Sequence, residues 1–517
     1  MWIEPNGVVK ILYNVDLDDN YDNTLYFANR TAQFNYFNQL VKYTYSKITY
    51  QRVKRNYIRV EINAENLYDC NYIMFQNTSF GNKWFYAFIK KVEYLSNMVS
   101  EIEYEIDVMQ TWFWDCTMQE CFIERQHSYT DNVGDNLIEE NLELGEYVSN
   151  GFNPSLNSNN TPLLGSPFLV IASTVYIKSG DVVYTKFDGD YVNGIFTGLY
   201  YHIFQVTTQG VLNIRDFIED VIRDTGSTDC VVDIFMIPAF LVPDHLNPSV
   251  HRFTPMQETY SFAKPLSSID GYTPRNKKLL TYPFNFLEVI DVHGNEGVYQ
   301  YEYFSGNNVV FDYTGAISCD PSMMITPRNY KGVDYNYNEK MVYKGFPHCS
   351  FDTDLWKVYL AQNVGTLLPT LAVGTALLAS PPTGVTQMAG ITAVANSLNK
   401  VRQAQIQGPQ AKGNFNGDII FSSGVYDFYY NKLSIRNEYA KIIDDYFDMF
   451  GYATKRVLVP NISSRPYWNY VKTVDANIVG SVPADDLKTI KNNFNKGITF
   501  WKTTGNIGDY TNDNRPV

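Results

Sequence analysis

Positive charge is scarce in this chain. Its 517 residues hold 41 Lys and Arg against 55 Asp and Glu, a formal net charge of −14 at pH 7. A protein that grips nucleic acid needs clustered cations along the phosphate backbone, so the balance argues against tight nucleic-acid binding. An acidic lumen, by contrast, would hold DNA weakly everywhere and let it slide. Cysteine is rare too. The six residues Cys70, Cys116, Cys121, Cys230, Cys319 and Cys349 show no CxxC spacing, which removes a disulfide framework and the usual zinc ribbons. Cys116 and Cys121 lie in an aromatic stretch and read as buried thiols. The start, Met1-Trp2-Ile3-Glu4-Pro5-Asn6, lacks a basic segment followed by an apolar one. Synthesis in a reducing cytoplasm, without a signal peptide, is the expectation.

The motifs of catalysis are missing as well. There is no Walker phosphate loop, dinucleotide glycine turn, HExxH or GxSxG. The histidines His127, His202, His245, His251, His293 and His348 are dispersed. His245 and His251 straddle Pro248, a poor spacing for two metal ligands, and His348 diverges from its neighbour Cys349. The run Asp16-Leu17-Asp18-Asp19-Asn20-Tyr21-Asp22 begins like a calcium loop. Its sixth position is Tyr21 rather than glycine and its twelfth is Phe27 rather than glutamate, so a solvated turn is expected. The pairs Glu139/Glu140 and Asp444/Asp445 read as solvated faces rather than as a glycosidase couple. No catalytic, cofactor-binding or metal residue is assigned, no cofactor is expected, and an enzyme is not expected.

One absence is more informative than the others. Between Lys357 and Lys400 lie 42 residues without a single charged side chain. At the chain average of 19% charged, about eight would be expected. The stretch is built of Gly, Ala, Thr, Val and Leu and is interrupted by Pro369 and Pro381-Pro382. It splits at Pro381-Pro382-Thr383-Gly384 into two arms, Val364–Ser380 and Val385–Leu398. Each arm falls short of the ~20 apolar residues of a spanning helix, so this is not an ordinary membrane anchor. The apolar positions Val364, Leu367, Leu368, Leu371, Val373, Leu377, Leu378, Val385, Met388, Ile391, Val394 and Leu398 fit a membrane-active loop sheltered until release. They fit a buried helical hairpin equally well, and residues alone leave both open.

What the chain has in abundance is aromatic surface. Tyrosine stands at 41 and phenylalanine at 32, residues suited to pleated, half-buried sheets and wet interfaces. Length suggests roughly three or four domains. Residues 1–127 read as short antiparallel strands: Val8–Asp16, Tyr57–Asn63, Trp84–Val92, and Val99–Val108 with alternating Ile102, Tyr104 and Ile106. Residues 128–350 are β-rich and irregular, with strands at Phe168–Ile171 and Cys230–Phe235 and a helix at Ile214–Arg223. Residues 351–425 hold the uncharged loop and a Gly/Gln/Asn-rich connector, with a strand at Asp418–Phe421. Residues 426–517 carry a helix over Lys432–Phe450, with helical spacing in Ile435, Tyr439, Ile442 and Tyr446 and ended by Gly451. A second helix spans Pro483–Lys496, with Leu487, Ile490 and Phe494 on one face and Gly497 as its stop; the strand Ile498–Trp501 follows.

Several ordered runs carry a resemblance. Near the N-terminus they are Gln33-Phe34-Asn35-Tyr36-Phe37, Asn71–Asn77, Gly81–Phe88, Glu105–Trp112 and Gln119–Ile123. Near the C-terminus they are Tyr446-Phe447, Gly451-Tyr452, Asn469–Val471, Asn495–Trp501 and Gly505–Gly508. Over roughly 1–147 and 426–517 the chain resembles the tail knob proteins of phi29-like short-tailed phages (Picovirinae).

The resemblance implies a virion structural protein, assembled in the host bacterial cytoplasm, with six copies closing the tail as a tube. It implies an α+β, β-rich multidomain fold whose N- and C-terminal segments join in an antiparallel barrel or sandwich tube domain. Its implied partners are other copies, phage collar and tail proteins, double-stranded DNA passing without sequence-specific contact, and the host membrane. A late apolar loop plugs the lumen in that family and opens a path through the membrane. Segment 358–399 has the matching position, though it is shorter and richer in proline, which leaves channel or plug open. A host-surface adhesin using aromatic loops such as Tyr191–Tyr201, or a tail-associated cell-wall hydrolase, are the alternatives.

Overall fold

The fold is a computed structural model that describes residues 6–48, 56–78, 81–154, 167–175, 185–187, 200–205, 230–242, 256–291, 294–316, 321–333, 338–344, 346, 348–349 and 428–516, with single positions between 217 and 225. The chain forms two compact units, fewer than the three or four that length suggests. The first unites Met1–Leu144, Tyr272–Leu280 and Asn437–Val517; the second comprises Gly145–Gly271 and Thr281–Arg436.

In the first unit a six-stranded antiparallel sheet runs in the order Val41–Ile48, Gly7–Tyr13, Cys70–Gln76, Trp84–Ser96, Val99–Ile106, Tyr57–Val60. Both of its faces are covered. Val9, Ile11, Ile73, Phe75, Ile102 and Tyr104 form one core, and Leu12, Tyr72, Met74, Tyr86 and Phe88 join another. A strand buried on both faces cannot alternate cleanly, which is why Cys70–Gln76 reads as a nearly continuous apolar run. The second core also receives Trp468, Phe494, Phe500 and Trp501 from the C-terminal segment. A five-stranded sheet, ordered Asn23–Leu25, Ile498–Trp501, Trp468–Val474, Cys121–Gln126, Tyr452–Leu458, is therefore built from both chain ends. Asn23–Leu25 lies parallel to Ile498–Trp501, and the fully buried Trp468 and Trp501 pair with ring centroids 5.3 Å apart.

Local expectations are met where alternation or a stop signal is strong. Strands occur at Gly7–Tyr13, Tyr57–Val60, Trp84–Ser96, Val99–Ile106, Pro167–Ser173, Val231–Pro238 and Ile498–Trp501. Three corrections arise. Arg30–Gln39 is a helix inside the N-terminal region that reads as strands, capped by the Asn29 side chain, which accepts from Ala32 N–H at 2.8 Å. Lys432–Ile435 belongs to the strand Phe428–Ile435, so the following helix spans Asn437–Phe450. Its buried face is Ala440, Ile443, Asp444, Phe447 and Asp448, whereas Ile442 is exposed. Of the expected helix Ile214–Arg223, helical positions are described at 217, 220, 221 and 223–225, with Phe217 and Val221 buried. The expected strand Asp418–Phe421 lies outside the described residues.

Gly451 ends its helix in the left-handed region at φ +65°, its N–H donating to Phe447 O at 2.8 Å. A Cβ there would stand 2.3 Å from the carbonyl carbon and oxygen of Gln126. That backbone belongs to a central strand and cannot yield. Gly451→Ala is expected to cost about 3 kcal/mol, from left-handed strain together with overpacking. Urea unfolding of the first unit, followed by tryptophan fluorescence, measures this.

The second unit holds three antiparallel sheets. One runs Tyr147–Pro154, Phe428–Ile435, Asn285–Asp291, Glu296–Tyr299; another runs Thr185–Phe187, Tyr200–Gln205, Pro167–Ser173, Val231–Pro238, His348–Cys349. The third runs Met256–Ala263, Asn308–Ala316, Ser322–Pro327, Met341–Lys344. All three supply one aromatic core that includes Tyr201, Tyr260, Tyr299, Phe311, Tyr313, Tyr343, Phe428 and Tyr430. Buried hydroxyls need partners, and Tyr313 and Tyr430 meet this need with each other at 2.6 Å.

Candidate functional site

The twelve apolar positions from Val364 to Leu398 fall within 351–427, outside the described residues. The flanks of that segment are described. Before it, Met341–Lys344 pairs with Ser322–Pro327, and His348 and Cys349 pair with Phe235 and Ile234. After it, Phe428–Ile435 is a central strand, bonded to Tyr147–Pro154 on one side and Asn285–Asp291 on the other. Tyr343 joins the two flanks. Its ring lies 5.0 Å from Phe346 and 5.8 Å from Phe428, and all three are buried. The segment thus leaves and returns to one aromatic cluster in one unit.

In the first unit, the most concentrated chemistry is a charged core around the helix Asn437–Phe450. Asp444 is fully buried. It accepts from the Tyr272 hydroxyl at 2.6 Å, the N–H of Arg275 at 2.8 Å, the N–H of Asn276 at 3.0 Å and the Asn276 amide at 2.8 Å. One turn on, Asp448 accepts from the same Asn276 amide at 2.8 Å and faces the Arg275 guanidinium at 2.9 Å. These bonds hold the short segment Tyr272–Leu280 in the unit. Lys278, also buried, reaches Glu140 at 2.7 Å, and Arg125 closes on the same carboxylate. The Tyr452 hydroxyl donates to Asp131 at 2.7 Å and lies 3.0 Å from the amide oxygen of Asn276. The expectation of solvated carboxylate pairs is therefore corrected. In each pair the second or first member, Glu140 or Asp444, is buried because cations and amides from distant segments neutralise it, while Glu139 and Asp445 are exposed.

Burial also perturbs titration in this unit. Asp107, buried at the head of the helix Val108–Trp112, accepts from the Tyr72 hydroxyl at 2.8 Å and the Gln110 N–H at 3.0 Å. Desolvation nevertheless pushes its carboxyl up to about 6, as it does that of Asp448. His127, which faces Asp448 O and Tyr470 N–H, is driven down to about 3 by burial and by the nearby Arg465. The signs are opposed. The stability contributed by the protons of Asp107 and Asp448 is full below about 4 and lost as pH rises through 6. That of neutral His127 is full above about 6.5 and lost as pH falls through 3. Asp107→Asn removes one titrating group while keeping an acceptor. The change in unfolding free energy between pH 4 and pH 7 should then move toward a larger value at pH 7 by on the order of 3 kcal/mol. Urea titrations of both proteins at the two pH values test this.

Other sequence candidates take structural places. In the acidic run, Tyr21 is buried and left-handed at φ +58°, with its hydroxyl accepting from Val108 N–H at 3.2 Å. Asp19 pairs with Lys90, and Asp22 with Lys496 at 2.6 Å. The turn is thus anchored to the core rather than wholly solvated. Cys121 is buried, but Cys116 is only half-buried. Tyr201 of the suggested sugar-stacking stretch is core; Tyr191 and His245, His251 and His293 lie outside the described residues. Among the described residues no group of three His, Cys, Asp or Glu is placed to hold a metal, and no helix is long and apolar enough to cross a membrane. The charged core was invisible to motif reading; the only signal for it was two aspartates within one helical face.

Comparison with known proteins settles the family. The model of the C-terminal domain of the Bacillus phage phi29 tail knob protein gp9 matches residues 249–515, and that of the caudoviral major tail protein N-terminus matches 5–117. The chain belongs to the phi29 tail knob protein family. The tail knob protein gp9 of Bacillus phage phi29 is 27% identical over 587 aligned positions, covering 98% of each chain. That of Bacillus phage B103 is 23% identical at the same coverage. The bacteriophage C1 tail knob protein gp12 shares the fold, with a TM-score of 0.62 at 15% identity over 98% of both chains. The chain is a structural tail protein of a phage, and its relatives are named as tail knob proteins rather than enzymes.

Proposed function

We propose that this tail knob family member is the subunit of a homohexameric tube at the tail tip, through which double-stranded DNA leaves the virion. In this reading the N- and C-terminal segments, which share the five-stranded sheet, form the barrel or sandwich wall of the tube. The acidic balance of the chain suits a conduit, since a wall that repels phosphate offers DNA no sequence-specific resting place. Phage collar and tail proteins are its docking partners, and assembly takes place in the host bacterial cytoplasm. Segment 358–399 plugs the lumen and engages the host membrane during ejection.

The observation that carries the reading is the 42-residue charge-free run, inserted between strands whose flanking aromatics meet on Tyr343. An apolar excursion tied at both ends can move without unfolding the unit that bears it. Electron microscopy of the purified full chain and of virions tests the assembly. Sixfold particles with an axial channel are expected, and monomers or threefold spikes would end the proposal. Dye release from liposomes exposed to the full chain tests the membrane step.

A further inference from the structure

The chain passes between its two units four times, at 144/145, 271/272, 280/281 and 436/437. Three of these crossings share one place in the second unit. Gly145 leads into the strand Tyr147–Pro154, Thr281 leads into Asn285–Asp291, and Arg436 follows Phe428–Ile435. The three are neighbours in one sheet, with Phe428–Ile435 in the middle. Their crossing ends coincide. Ile435 is in register with Tyr147, and Ser434 with Val148 on one side and Asn285 on the other. The Ile435 N–H donates to Phe284 O at 3.0 Å, and Arg436 pairs with Glu146 at 3.1 Å. Deeper in the sheet Asn431, fully buried, accepts from the Ser149 hydroxyl at 2.6 Å and donates to Glu288 at 2.8 Å. That side chain bridges all three strands.

In the first unit the same three crossings start from the charged core. Asp131 and Glu140 precede the first, the segment Tyr272–Leu280 precedes the second, and Asp444 and Asp448 follow the third. Here too they are fastened to one another. Lys278 reaches Glu140 at 2.7 Å and the Ile138 carbonyl at 2.6 Å, and Asp131 accepts from the Lys277 N–H at 3.0 Å. On the other side of the segment, the Asn276 amide donates to both Asp444 and Asp448 at 2.8 Å. Tyr272–Leu280 is thus a clip held from both flanks.

The connections between the two fastenings are short. Glu140 and Tyr147 are seven positions apart, Lys278 and Asn285 seven, and Ile435 and Asp444 nine. Strands tethered so close to a fastened point are held at high effective concentration, and little closure entropy opposes their pairing. If the fastening on one side is lost, the loops that the other side must close become longer and its pairing weakens. By thermodynamic linkage the effect runs equally in both directions.

We propose that the buried charges of the first unit clamp three chain crossings together, and so couple the hold on the clip Tyr272–Leu280 to the pairing of residues 147–149, 285–288 and 431–435 in the second unit. This gives the charged core a role that an apolar core of one unit would not need. The middle strand is the one that follows the charge-free run, so a load on that run is shared by both units. The coupling is independent of the ring reading above.

Hydrogen exchange of the full chain, read by mass spectrometry, tests this with one variant on each side. Lys278→Met releases the clip from Glu140, which keeps Arg125 and the Ala453 N–H. Exchange is expected to quicken about tenfold in 276–280 and also in 147–149, 285–288 and 431–435. Asn431→Ala, in the second unit, should quicken those three stretches and residues 276–280 by a similar factor. The hairpin Asn308–Ala316 with Ser322–Pro327, whose strands border no crossing, should exchange as in wild type in both variants. Exchange that changes only in the unit carrying the substitution overturns the proposal. So does a Lys278→Met protein that exchanges as wild type throughout, or a uniform change that includes the control hairpin. Should Lys278→Met fail to fold, Asn431→Ala decides alone.

Discussion

Asp444→Ala is expected to lower the stability of the first unit by about 3–5 kcal/mol, the cost of breaking a buried ionic group by deleting one partner. The carboxylate accepts four hydrogen bonds, from Tyr272, from two consecutive backbone N–H groups and from the Asn276 amide. The Asn276 amide keeps Asp448, but alanine offers no substitute to the Tyr272 hydroxyl or to the two backbone N–H groups, and each buried donor left unpaired carries its own desolvation penalty. Arg275 keeps Asp445 and Asp448, so the guanidinium itself is not stranded. What is lost is the anchor of the segment Tyr272–Leu280. For a unit of this size the change corresponds to a fall in the midpoint of roughly 10 °C. Limited proteolysis should at the same time open a site within 272–280. Asp445→Ala, next along the helix but 61% exposed, is the control and should stay within about 1 kcal/mol of wild type. If Asp444→Ala unfolds with wild type, the segment is held by something other than this carboxylate.

The same aspartate shows why part of the fold was legible and part was not. Strands such as Val99–Ile106, with carboxylates alternating against Ile102 and Tyr104, announce their buried face locally. So do the stops at Gly451 and Gly497, both with positive φ. The helix Asn437–Phe450 does not. The stripe read from its sequence is not the buried one: Ile442 is exposed and Tyr439 and Tyr446 are half-buried, whereas Ala440, Ile443 and Phe447 share the interior with Asp444 and Asp448, which Arg275 and Asn276 make admissible there. Those partners are some 170 residues away, and no window over the helix contains them. The helix Arg30–Gln39 was missed for a related reason. It buries only Gln33 and Phe37, with Gln33 bonded to Gln110, so no stripe marks it; the Asn29 cap was the available signal. Likewise the parallel pairing of Asn23–Leu25 with Ile498–Trp501 depends on a non-local contact that periodicity cannot reveal. Of the candidate site, the absence of charge between Lys357 and Lys400 was plain in the sequence, whereas the meeting of its flanks on Tyr343 was not.

Deletion of residues 358–399 should separate membrane activity from folding completely. The deletion removes 42 of the 77 residues between 351 and 427. It leaves Phe346, Tyr343 and Phe428 in their common cluster, along with both ladders of the strand Phe428–Ile435. Halving a connection changes its closure entropy by only about 0.6 kcal/mol, and in the stabilising direction. Thermal unfolding of the second unit is therefore expected to stay within about 2 °C of wild type. Dye release from liposomes, in contrast, should fall to the level of buffer alone. A gentler version makes the same point without shortening the chain. Leu371→Asp with Leu378→Asp puts two carboxylates into an otherwise uncharged run, at about 2.5–3.5 kcal/mol each for insertion at mid-bilayer. Release should drop by orders of magnitude while the unfolding profile holds. Release that survives the deletion would mean that some other surface meets the membrane, and the charge-free run would need a different reason to exist.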